Sequence, residues 1–233
     1  MSYLDNAPDY TGDVAAQQAF VVKVYGWMTA GLMLTAIIAK LIALSVDRGV
    51  FAGVDPRLMI VLVLVQLGIA LGMRWCLDKV PAIVITAMYV LYAAITGVFF
   101  SIYFLLFTEA SIASTFLVCS ATFGVMSLYG YFTKRDLTGI GQLCLMALIG
   151  LIIASIVNIF MASSMLYWAT TYIGILIFVG LTAYDTQKMK YMYLAGAAGS
   201  AQQQKAAILA AFELYLDFVI LFQYLLRLLG RRR

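Results

Sequence analysis

Long apolar runs separated by short polar connections dominate the sequence. A helix needs about 20 apolar residues to cross the hydrocarbon of a bilayer, and seven stretches reach about that length. The pattern therefore predicts an all-α integral membrane protein with seven transmembrane helices. The predicted helices are Phe20–Leu44, Leu58–Leu77, Ala82–Phe107, Ile112–Phe132, Ile140–Ala162, Met165–Gln187 and Ala207–Leu228.

The residues outside these stretches indicate the domain organisation. Residues 1–19 are predicted to form a polar N-terminal tail, and residues 20–233 a single transmembrane domain, because no connection is long enough for a soluble domain. The tail carries Asp5, Asp9 and Asp13 but no basic residue, whereas a secretory signal peptide begins with a positive region. We expect no cleaved signal peptide.

The composition limits the partners and the titratable groups that the chain can use. The chain is 64% hydrophobic and 11% charged, and its net charge of +4 lies mainly in connections and at the C-terminus, so we expect no nucleic-acid partner. Its three cysteines are widely spaced and are expected to be small buried hydrophobes. The chain has no histidine, the side chain that most often titrates between pH 5 and 8. Any pH response must therefore come from carboxyl groups.

Lysine and arginine favour an orientation in the cell membrane. They are more frequent in the second, fourth and sixth connections, which predicts that these connections and the N-terminus are cytoplasmic. Seven crossings would then leave Arg231, Arg232 and Arg233 outside, against the same rule. Either the last segment does not cross the membrane as an ordinary span, or the positive charge of the C-terminal tail outweighs that of the connections in setting the orientation.

The last apolar stretch contains two acids, Glu213 and Asp217. An acid near the middle of a bilayer costs about 2.5 to 3.5 kcal/mol, which cancels the gain from several leucines. Other helices must shield such a segment from lipid. We therefore predict that the last helix is the central helix of the membrane bundle.

A further acid, Asp185, lies at the end of the sixth predicted helix. If the sixth and seventh helices pack antiparallel, Asp185 and Asp217 could face each other, provided that the sixth helix continues through residues 188–194. Glu213 lies on the same face as Asp217 and could extend a polar track. The alternative is that Asp185 caps the sixth helix and that Asp217 pairs with a nearby base.

Two carboxyl groups that share a dry site cannot both ionise cheaply, and they titrate as a unit. With one shared proton they form a closed hydrogen-bonded contact. With no proton they repel each other or bind a hard divalent cation such as Ca²⁺. Arg74, at the end of the second segment, is either a counter-ion that competes for one carboxylate or an ordinary anchor at the membrane boundary.

Several motifs resemble those of the Bax inhibitor-1 family, also called the transmembrane Bax inhibitor motif proteins, and of its bacterial members in particular. The motifs are Ala-Tyr-Asp-Thr-Gln-Lys at 183–188, Leu-Tyr-Leu-Asp-Phe at 214–218, Thr-Lys-Arg-Asp-Leu-Thr-Gly at 133–139 and Ile-Thr-Gly at 95–97. The resemblance implies a seven-helix bundle around the last helix, a multi-pass protein of the bacterial inner membrane, and a pH-sensitive calcium leak that is gated by an aspartate pair.

The family's functional residues map onto this chain by motif. Its aspartate pair, which would sense pH and contact Ca²⁺, corresponds to Asp185 and Asp217, and its latch arginine corresponds to Arg74. Members often have a carboxylate in the second helix, where this chain offers Gln66 as the nearest polar residue and, with Glu213, as a possible part of the polar track. They also often have asparagine shortly after the last-helix aspartate, where this chain has residues 219–220 as Val-Ile.

Three functions remain open at this point. The first is a passage for Ca²⁺ controlled by protons, with no enzymatic activity and no cofactor other than the ion itself. The second is an interaction protein that modulates a membrane protease or a stress pathway, with the acidic N-terminal tail as the segment that a partner would bind. The third, an intramembrane aspartyl protease, is disfavoured because the chain lacks a Gly-x-Gly-Asp loop.

Overall fold

Seven α-helices contain most of the residues that the computed structural model describes, which are 10–47, 56–77, 79–195 and 201–232. All seven are long and apolar enough to span a membrane, so the protein is a multi-pass membrane protein. The helices are α1 (Tyr10–Asp47), α2 (Pro56–Trp75), α3 (Ala82–Leu106), α4 (Glu109–Phe132), α5 (Thr138–Met161), α6 (Ser164–Ala195) and α7 (Ala201–Leu229).

Three helices are longer by more than five residues than the apolar runs that predicted them. Helix α1 begins at Tyr10, so the second half of the predicted polar tail is helical, whereas Asp5 and Asp9 lie outside the described residues. Helix α6 continues to Ala195, and α7 begins before its apolar run. Hydropathy marks the part of a helix that lies in hydrocarbon, but the backbone hydrogen bonds continue for several residues into the polar region.

Helix α7 lies at the centre of the bundle, as predicted. It is buried along most of its length, whereas less than half of each other helix is buried. Helices α1, α3, α4 and α6 pack directly on α7, while α2 packs mainly on α3 and α5 on α6. Small side chains on α7, including Ala207, Ala210 and Ala211, are fully buried and permit this close approach.

The contact between α4 and α6 is very close at Gly130. A Cβ atom at this position would overlap the backbone carbonyl of Ala183. Because Ala183 is two residues from Asp185, this contact fixes the part of α6 that carries the acid. Glycine at position 130 is therefore required by the distance between the two helix backbones.

Both ends of α7 are located by hydrogen bonds to other elements. Near its start, Lys205 donates to the carbonyl oxygen of Leu77 (3.0 Å), just after α2. At the other end of the bundle, the backbone N–H of Thr108 donates to Arg231 (3.2 Å) and the N–H of Arg231 donates to Ser111 Oγ (2.8 Å). Helix α7 thus crosses the whole bundle, and the described part of the basic tail lies opposite the second connection.

Candidate functional site

Asp185 and Asp217 meet between α6 and α7. Helix α6 continues for ten residues beyond Asp185, so this side chain lies within the helix and does not cap it. The antiparallel packing of α6 on α7 brings its carboxyl group into the same cleft as that of Asp217, where the two acids act on each other electrostatically. The continuation of α6 through residues 188–194, on which the predicted pairing depended, is present.

The environment of the two acids is unequal. Asp217 is only 4% exposed, whereas Asp185 is half-buried. The Oδ2 atom of Asp217 is fully buried and accepts no hydrogen bond from any described residue. Buried oxygens nearly always have a partner, and an ionised carboxylate can only accept. A proton shared between the two acids would supply the missing donor.

The pair lines a cleft of about 750 Å³ among α2, α5, α6 and α7. Helix α5 contributes an apolar wall, and α6 and α7 contribute polar side chains together with further apolar ones. The polar and charged residues along the cleft are Arg74, Ser155, Tyr184, Asp185, Lys188, Glu213, Asp217, Gln223 and Tyr224. Ions or water could therefore reach the acids along the cleft from its charged end.

A cluster of three charges joins three helices at one end of this cleft. Lys188 on α6 places its Nζ atom 2.8 Å from both carboxylate oxygens of Glu213 on α7. Arg74 on α2 donates from Nη2 to Glu213 Oε1. Glu213 is 9% exposed as a side chain, so its charge is balanced by two cations and not by water. In this structure the partner of Arg74 is Glu213, and neither aspartate forms an ion pair with it.

Lys188 was missed as a site residue because its charge was assigned to the sixth connection. It lies three residues after Asp185, and residues three apart on a helix share a face. Once α6 is extended past residue 187, that spacing places the ammonium group next to the acids. The spacing of three residues from Asp185 therefore identifies Lys188 as a site residue once the end of α6 is known.

Gln66 lies in a neighbouring cavity. Its Nε2 atom donates to Thr96 Oγ1 (2.8 Å) between α2 and α3. This cavity has a volume of about 380 Å³ and adjoins the cleft along one face of α7. Three residues of α7 line both spaces: Leu216, Ile220 and Gln223. The predicted polar track thus divides: Glu213 lines the cleft of the aspartates, and Gln66 does not.

Asp136, in the fourth connection, differs from the acids of the cleft. Its carboxylate accepts hydrogen bonds from the hydroxyl group (2.6 Å) and the backbone N–H (2.9 Å) of Thr138. The bond from the hydroxyl, followed by that from the backbone, lowers the pKa of Asp136 below its ordinary value. Asp136 therefore stays ionised near neutral pH and cannot supply a titration there.

Known proteins resemble this chain over nearly its whole length. The model of the family described as "Inhibitor of apoptosis-promoting Bax1" matches residues 17–233. "Inner membrane protein YbhL" of Escherichia coli K12 is 46% identical over 220 residues, which cover 94% of each chain. An uncharacterised protein of Rickettsia prowazekii is 44% identical (92% of this chain, 90% of the relative), and one of Borreliella burgdorferi is 39% identical (95% of each).

Proposed function

Because the chain belongs to the Bax inhibitor-1 family, we propose that it is a pH-sensitive passage for Ca²⁺ in the bacterial inner membrane, gated by Asp185 and Asp217. The observation that carries the proposal is that these two acids, one of them almost fully buried, line the same open cleft between α6 and α7. The relative named as an inner membrane protein supports the location. We assign the protein no enzymatic role.

The gate would work by electrostatic repulsion. With one proton between them, the two carboxyl groups hold α6 and α7 together at this depth. When that proton is lost, two charges about 4 Å apart repel each other by about 4 kcal/mol at an effective dielectric constant of about 20. A tenfold change in a population needs only about 1.4 kcal/mol. Deprotonation is therefore sufficient to favour an open arrangement.

Calcium would be the cargo of this site and not a resident cofactor. Ca²⁺ takes six to eight oxygen ligands, and two carboxylates supply up to four. Among residues 10–47, 56–77, 79–195 and 201–232, no three aspartate, glutamate, cysteine or histidine side chains gather into a metal-binding group. The remaining ligands would be water in the cleft. Such a site binds the ion weakly enough to release it.

Flux measured in liposomes tests the proposal. The full chain is reconstituted with a Ca²⁺ indicator inside, and the pH is varied equally on both sides, so that no proton gradient contributes. We expect the flux to be low when the acids share a proton and to rise as the pH is raised and that proton is lost.

Glu109→Gln is the matched control, since Glu109 pairs with Lys40 (2.6 Å) at the opposite end of the bundle. It should follow the wild-type profile. Flux equal to that of empty liposomes, or flux independent of pH, would refute the proposal.

A further inference from the structure

The cleft has an apolar wall that opens sideways towards lipid. Leu145, Ile152 and Ile156 of α5 line it, and each is about half exposed at the surface of the bundle. A membrane-spanning helix faces lipid where it is exposed, so the cleft is a groove that is continuous with the acyl region. The apolar side chains of this wall therefore meet hydrocarbon and not bulk water.

Basic side chains lie at one end of the same groove. Arg74 and Lys188 are both bound to Glu213, and these three side chains together carry one positive charge at the end of the groove, one turn of α7 away from the aspartate pair. Arg74 uses Nη2 for that contact and remains 62% exposed, which leaves the rest of its guanidinium group accessible. The adjacent Trp75 is 86% exposed at the end of α2, as expected for an aromatic residue at a membrane boundary. The groove is therefore basic at one end and apolar along its α5 wall.

The apolar wall is long enough for an acyl chain. It extends along α5 from Leu145 to Ile159, a rise of about 21 Å at 1.5 Å per residue. Because α5 is Thr138–Met161, the wall begins seven residues into the helix and continues past the middle of the membrane. One leaflet of hydrocarbon is about 15 Å thick. A chain that starts at the basic end would therefore meet the wall at Leu145 and follow it to the middle of the membrane.

We propose that this groove is a binding site for an anionic glycerophospholipid. Its phosphate would lie on Arg74 and Lys188, and one acyl chain would lie along the α5 wall past Ile152. Basic pockets between transmembrane helices are known to bind anionic lipid head groups, and here the charge and the apolar wall are in the same groove. A lipid in this position would cover the sideways opening that leads to Asp185 and Asp217. The binding itself does not depend on Ca²⁺ passage.

Native mass spectrometry of the full chain in detergent tests the head-group contact. Dioleoyl phosphatidylglycerol is titrated against dioleoyl phosphatidylcholine, which differs in carrying no net charge. We expect the anionic lipid to bind more tightly, and Arg74→Gln and Lys188→Gln each to weaken it roughly fivefold. Lys134→Gln is the control, because Lys134 is exposed in the fourth connection and does not line the groove. Equal affinity for the two lipids would overturn the proposal.

A second pair of variants tests the acyl chain without altering any charge. Ile152 and Ile153 are neighbours on α5, and they are 52% and 58% exposed, but only Ile152 lines the groove. We expect Ile152→Trp to fill the groove and weaken binding of the anionic lipid severalfold, with Ile153→Trp leaving it unchanged. Equal effects of the two tryptophans would exclude the groove as the binding site, even if the charged variants fail to fold.

Discussion

Asp217→Asn should abolish the pH dependence of Ca²⁺ flux and hold the flux at its low value throughout the pH range. An asparagine side chain donates a hydrogen bond to the Asp185 carboxylate without having a proton to lose. The variant thus imitates the singly protonated pair at every pH. At the pH where the wild-type flux is highest, its flux should be lower by roughly tenfold or more, because a repulsion of about 4 kcal/mol is absent.

The appropriate control for this variant is Asp136→Asn. Asp136 is exposed, its carboxylate is held by Thr138, and asparagine can accept the same hydrogen bonds. Proteoliposomes that contain it should show the wild-type pH profile of Ca²⁺ flux. The gating mechanism would be wrong if Asp217→Asn also retained that profile, since the pair could then not be the group that senses protons.

Gly130→Ala should destabilise the bundle by about 1–3 kcal/mol, the usual range for overpacking a close contact. The added methyl group meets the backbone of Ala183, which cannot move aside as the tip of a flexible side chain could. Helices α4 and α6 must therefore separate near Asp185. Thermal unfolding of the purified protein in detergent measures the loss, and the change in spacing should also raise Ca²⁺ flux at low pH.

Gly124→Ala provides a matched comparison on the same helix. No atom lies within 4 Å of a Cβ at this position. In a helix interior, alanine is favoured over glycine by roughly 0.5–1 kcal/mol, so this variant should be as stable as the wild type or more so. If the two alanine variants unfolded at the same temperature, the contact between Gly130 and Ala183 would not be a close one.

The number of helices and the central position of α7 could be predicted because both follow from hydrophobicity. Seven apolar runs of sufficient length can only form membrane helices, and the acids in the last run require protection from lipid. The ends of the helices could not be predicted in the same way. Helix α6 continues beyond Gln187, where its predicted apolar run ends, through Lys188 and Lys190 to Ala195.

The pairing of charges depended on geometry that hydropathy does not contain. The sequence leaves Arg74 as either a counter-ion that competes for one carboxylate or an anchor at the membrane boundary, and the structure pairs it with Glu213, one turn of α7 before Asp217. A single turn of about 5.4 Å decides which acid an arginine reaches, and such a difference in depth is smaller than the error of a predicted helix end. For the same reason a sixth helix predicted to end at Gln187 leaves Lys188 in the sixth connection.

Infrared difference spectroscopy of the protein in lipid bilayers tests the central claim most directly, because a protonated carboxyl group and a carboxylate absorb at different frequencies. A band from a protonated carboxyl group should be present at low pH and should disappear over the same pH range in which Ca²⁺ flux rises. It should change in Asp217→Asn and not in Asp136→Asn. A band that is unaffected by Asp217→Asn, or that disappears where the flux does not change, would contradict the account.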